Sequence, residues 1–149
     1  DEDFFMYKED VDVAWRLRLA GWKCAVDSTA VSYHGRGTGV LKRFTHWEVM
    51  KNRRHLSGFT KGWSYRNQRI MQLKNEMWST FLPDALPILW REFLAFLYVL
   101  FLEPYLLPKA FQVFTQLPKT IRKRRFIMRK AAQRNIKAHD MQSWLRSIK

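Results

Sequence analysis

An α/β architecture followed by a helical extension is predicted by three features of this 149-residue sequence. A carboxylate-rich loop feeds an amphipathic helix over residues 9–20. Two short strands follow at 22–27 and 30–34, divided by the turn Asp27-Ser28-Thr29. Beyond residue 40 the pattern is helical: first basic, then apolar, then basic again.

The opening stretch D-E-D-F-F-M-Y-K-E-D-V-D-V-A-W-R holds six carboxylates in sixteen residues, in a chain of formal charge +14. Glu9, Asp10 and Asp12 fall in a first helical turn, where negative charge complements the helix dipole. Asp12 and Arg16 stand at i, i+4, the spacing of a helix-surface pair. Gly21, one residue past the last apolar position, is the expected stop. Trp15 and Trp22 read as core. Helix capping explains Asp1 to Phe5 poorly, because two adjacent phenylalanines would share one loop with charges. A loop that buries rings beside carboxylates can raise a pKa toward neutrality, as a general base requires. After the second strand, Gly35-Arg36-Gly37-Thr38-Gly39 places three glycines in five residues, so its backbone can approach a ligand closely.

A basic helix is predicted over 41–57, with Phe44, Trp47 and Met50 at helical spacing and Gly58 as its end. The next helix is expected over 63–81, starting after Gly62, with Ile70, Leu73 and Met77 on one face. Pro83 and Pro87 read as breaks before the apolar segment 88–107. Its unbroken apolar run, 93–102, is half the roughly 20 residues needed to cross a bilayer. Charges at Arg91, Glu92 and Glu103 and prolines at 104 and 108 bound it, so an interfacial or core helix is expected. Past Pro118 a basic amphipathic helix is predicted, with Ile121, Ile127, Met128 and Ile136 among its cations. The single Cys24 forms no internal disulfide and suits a reducing compartment.

D-E-D-F-F-M-Y-K-E-D-V-D-V-A-W-R-L-R-L-A-G-W-K followed by A-V-S-Y-H-G-R-G-T resembles the C-terminal part of the catalytic domain of inverting family-2 glycosyltransferases. The bacterial rhamnosyltransferase-like branch is the most similar. The likeness is dense over residues 1–40 and looser from about 60 to 130. It implies a GT-A fold and transfer of a sugar, rhamnose for that branch, from a nucleotide-diphosphate donor to a hydroxyl of a lipid-linked or cell-surface glycan. By the same resemblance Asp10 is the general base and Glu9 its supporting residue, against capping as the plain alternative. Asp1, Glu2, Phe4 and Phe5 are acceptor-loop candidates. His34 is implied as a ligand to a divalent cation, Mg²⁺ or Mn²⁺. Arg36 with Gly35 and Gly37 is placed to meet the leaving diphosphate, against a plain surface turn. Asp1-Glu2-Asp3 has the letters of a metal-binding Asp-x-Asp but stands directly before the acceptor motif. The chain opens inside a motif with no Gly-rich phosphate loop, so a C-terminal fragment lacking the donor half, and inactive alone, is expected.

The predicted organisation is 1–40 as the end of a catalytic domain, 41–118 as a helical extension and 119–149 as a basic tail. Residues 1–40 hold seven acids against five bases, so the whole cationic excess falls after residue 40. Such an excess calls for an anionic partner. An anionic membrane surface is the expectation, on the cytoplasmic face of a bacterial plasma membrane, where each cation adds about 1 kcal/mol. Nucleic acid is disfavoured, because the aromatics lie away from the densest charge. The rival reading from another class is a non-catalytic basic helical module binding membrane or nucleic acid.

Overall fold

The computed structural model describes residues 1–25, 27, 29–31 and 51–147. Among them every regular element is a helix and no strand is present. The α/β expectation, and the GT-A fold with it, is therefore corrected to an all-α fold. An isolated strand leaves its backbone donors and acceptors unpaired. Among the described residues no second strand stands beside the predicted strand at 22–27, which itself runs as irregular, exposed chain where it is described. Trp22, expected in the core, is exposed, whereas Trp15 is buried. Most of the strand predicted at 30–34 lies outside the described residues.

The helices are α1 (Glu9–Leu19), α2 (Gly58–Asn75), α3 (Trp78–Phe81), α4 (Ala85–Leu102), α5 (Leu107–Thr115), α6 (Leu117–Gln133) and α7 (Ala138–Ser147). Of the helix predicted over 41–57, residues 51–57 are described: 51–54 are helical and 55–57 form a turn and the entry to the next helix. Helix α1 ends as its sequence predicts. Gly21 takes φ +83°, its N–H donates to Arg18 O, and the Trp22 N–H donates to Leu17 O at 2.9 Å. Those two bonds satisfy the last carbonyls, and glycine adopts the left-handed turn without a Cβ penalty.

Gly58 opens a helix instead of closing one. Ser57 Oγ accepts the Thr60 N–H at 3.1 Å, an N-cap that satisfies an otherwise orphaned donor. Gly62 lies inside α2, where a Cβ would come within 3.0 Å of the Lys109 side chain, so it permits close approach of α5. The predicted 63–81 helix is divided, because Glu76 turns extended between α2 and α3. Pro83 and Pro87 do not break the chain. Pro83 sits in the 3₁₀ turn Leu82–Asp84 and Pro87 in the first turn of α4, where a proline forfeits no helical hydrogen bond. Residues Trp78–Leu102 thus form one 25-residue helical rod.

Helix α2 is the axis of the assembly, with α1, α5 and α6 packed around it. The main core joins Phe4 of the opening loop, Trp15 and Leu19 of α1, Ile70 and Met71 of α2, Ala131 of α6 and Met141 of α7. The basic C-terminal segment is therefore two helices built into the same core as residues 1–20. A second cluster, Tyr65, Val99, Leu106 and Ala110, fastens α4 and α5 to α2.

Ile70→Ala removes a side chain that is 1% exposed and should lower the free energy of unfolding by about 2–5 kcal/mol, read from denaturant melts. Leu86→Ala, at an exposed position of α4, should shift the same melts by no more than about 0.5 kcal/mol.

Candidate functional site

The opening loop enters α1 through two consecutive left-handed residues, Tyr7 (φ 68°) and Lys8 (φ 70°). Side chains dislike that region, so the turn persists only where its surroundings hold it. Helix α2 supplies the hold. The fully buried Asn67 donates through Nδ2 to Met6 O at 2.7 Å and to Tyr7 O at 2.9 Å. Arg66 donates to Asp3 O at 2.9 Å, and the hydroxyls of Tyr7 and Thr60 share a 3.0 Å bond.

Beneath the turn lies a charged network. Asp12, read from its spacing as half of a surface pair, is instead 0% exposed. Its carboxylate accepts from Asn75 Nδ2 at 2.7 Å, Arg16 Nε at 2.9 Å and Lys74 Nζ at 2.8 Å. Lys74, itself buried, also pairs with Asp1 and stands 4.5 Å from the centre of the Phe4 ring. Burial outweighs the pull of Asp12 and holds the Lys74 ammonium below its ordinary 10.5. Lys123 of α6 bridges Asp1 at 2.5 Å and Asp3 at 2.6 Å, and Lys119 adds a bond to Asp3 at 2.5 Å.

The predicted site residues therefore divide. Asp1 spends its carboxylate on Lys74 and Lys123, and Phe4 packs in the core. Glu2, Phe5, Glu9 and Asp10 face solvent. Asp10 Oδ1 accepts the Val11 N–H at 2.8 Å in the first turn of α1, leaving Oδ2 open. Phe5 lies over Trp63 (5.5 Å between centroids) and meets Phe59 edge-on at 6.4 Å, while Lys109 Nζ sits 3.8 Å from the Trp63 ring centre. Sequence reading missed Phe59 and Trp63 as partners of the loop. Their i, i+4 spacing at the start of α2 was the available signal. His34, Gly35, Arg36 and Gly37 lie outside the described residues. Among the described residues no three of His, Cys, Asp and Glu come together as a metal-binding set.

Two of the cavities among the described residues flank the assembly. One, of about 590 Å³, is lined by Asp1, Glu2, Arg16, Lys119, Arg122 and Lys123. The other, of about 480 Å³, is an apolar cleft between α4 and helices α2, α5 and α6. Burial there pushes the Glu76 carboxyl up, against a hydrogen bond from Thr80. Neither cavity is lined by Glu9 or Asp10.

No family model, curated protein or solved structure matches this chain. The functional reading accordingly rests on local chemistry and on the motif.

Burial draws the Asp3 carboxyl upward, but hydrogen bonds and charge from Lys119 and Lys123 outweigh it and hold the group below its ordinary 3.8. Glu103 behaves likewise: burial is overcome by Lys61 and Arg53, which keep it below 4.5. Both folded values lie beneath the unfolded ones. Their stabilisation is whole above the unfolded values and disappears as pH falls through the folded ones. Acid titration should show unfolding free energy declining below about pH 4.5, with the Lys119→Ala/Lys123→Ala variant losing part of that decline. Lys74→Met removes the buried cation shared by Asp12 and Asp1, leaves Arg16 as the cation on Asp12, and should cost about 3 kcal/mol by denaturant melts. The double variant Asp12→Leu/Lys74→Met should recover much of that loss.

Proposed function

We propose that this chain supplies the base-bearing, acceptor-side part of an inverting glycosyltransferase. The reaction moves a sugar from a nucleotide-diphosphate donor to a hydroxyl of a lipid-linked or cell-surface glycan. One observation carries the reading. Asp10 is a solvent-open carboxylate in the first turn of a helix whose approach is clamped by the buried Asn67, Asp12 and Lys74. A general base must be both reachable and rigidly aimed, and a first-turn carboxylate on a braced helix meets both needs.

In this scheme Asp10 Oδ2 takes the proton of the acceptor hydroxyl as its oxygen bonds to the anomeric carbon. The bond from that carbon to the diphosphate breaks from the opposite face, its electron pair leaves with the nucleotide, and the configuration inverts. Glu9 supports the acceptor beside Asp10. Phe5, laid over Trp63 and Phe59, offers an aromatic surface beside the same turn. We assign His34 and Gly35-Arg36-Gly37 to the donor diphosphate on the strength of the motif, with a divalent cation as the group His34 would hold.

A second reading, a non-catalytic membrane-binding module, draws on the exposed apolar face of α4. The two diverge at one residue. In the longer transferase that the motif implies, Asp10→Asn should lower kcat by about 10²- to 10⁴-fold with donor affinity unchanged. Donor titration and turnover assays read both quantities. Turnover that survives Asp10→Asn overturns the assignment of Asp10 as base.

A further inference from the structure

We infer that the Trp78–Leu102 rod lies flat in the surface of an anionic phospholipid bilayer, its outer face among the acyl chains and Glu92 and Glu103 turned to the protein. The inference stands on α3, α4 and their neighbours and does not depend on the transferase reading.

The rod has two faces. Ala85, Ile88, Glu92, Ala95 and Val99, at three- and four-residue spacing, turn inward. Leu86 (83% exposed), Trp90 (62%), Phe93 and Phe101 (73%) point away from the protein. Phe111 and Phe114 of α5 are further exposed rings. A patch of this extent marks contact with lipid or with another protein. Charge decides between them. Arg91 on the rod itself is exposed, and the chain carries +14. A second copy would bring the same positive charge and be repelled, whereas an anionic headgroup layer complements it. Trp78, Trp90 and Tyr105 are residues that favour the boundary between water and hydrocarbon.

Length alone would allow the rod to cross: 25 residues span roughly 37 Å. Its charges forbid it. Arg91 and Glu92 fall at its middle, where a crossing helix meets the centre of the hydrocarbon. Glu92 is bound to Arg69 at 2.7 Å and Glu103 to Lys61 at 2.8 Å, so the rod runs antiparallel beside α2. Upending it would tear both ion pairs or drag the polar residues of α2 into lipid.

The test uses the full chain with Cys24→Ser as background and single cysteines at Leu86, Phe93 or Phe101, each carrying a polarity-sensitive fluorophore. Vesicles are phosphatidylcholine alone or mixed with phosphatidylserine. Binding should be about tenfold or more tighter to the mixed vesicles. Lipids brominated at graded depths should quench all three labels alike, at about 5–10 Å below the headgroups. Trp90→Lys/Phe93→Lys should weaken binding at least about tenfold with unchanged circular dichroism. Depths that progress from one leaflet to the other between 86 and 101 would overturn the flat placement. So would equal affinity for neutral vesicles, or self-association through this face with no vesicle binding.

Discussion

A buried ammonium set between two carboxylates organises this molecule. Lys74 reaches from α2 to Asp12 on α1 and to Asp1 in the opening loop, under the ring of Phe4. Desolvation makes such a cluster an uncertain source of net stability. What it does impose is register. With Asn67 and Asn75 it leaves one way for residues 1–20 to sit on α2, because any slip would strand a charge out of water.

That constraint explains the division of labour within the acidic stretch. Carboxylates at Asp1, Asp3 and Asp12 are consumed by lysines and by Arg16, so their chemistry is structural. The network also holds two left-handed residues in sequence, and the resulting turn presents Glu9 and Asp10 to solvent. An accessible carboxylate is thereby fixed to a rigid body. At the other side of α2, ion pairs to Glu92 and Glu103 hold an unusually apolar helix against the protein by its few charges. The same axis thus carries a polar clamp on one side and an apolar surface on the other.

Much of the local structure was legible in the residues. Acidic first-turn residues and Gly21 marked both ends of α1. Pro104 stands just past the end of the apolar rod, whereas Pro83 and Pro87, read as breaks, lie within it. Errors came where a short-range signal was outweighed by its neighbours. Gly58 looked like a terminator, yet Ser57 beside it caps a new helix. Two alternating apolar stretches looked like strands, yet among the described residues no partner strand takes their hydrogen bonds. Asp12 and Arg16 looked solvent-exposed because i, i+4 spacing says nothing of a lysine arriving from 62 residues away.

The amino-acid sequence by itself determined where several helices could start and stop and how the charge was shared out along the chain. These follow from capping, dihedral preference and composition, which act within a few residues. Only the tertiary structure decided which carboxylates are buried and which remain open, and which face of α4 meets the protein. Burial and ion pairing depend on residues brought together from distant parts of the chain, and no local pattern records that meeting.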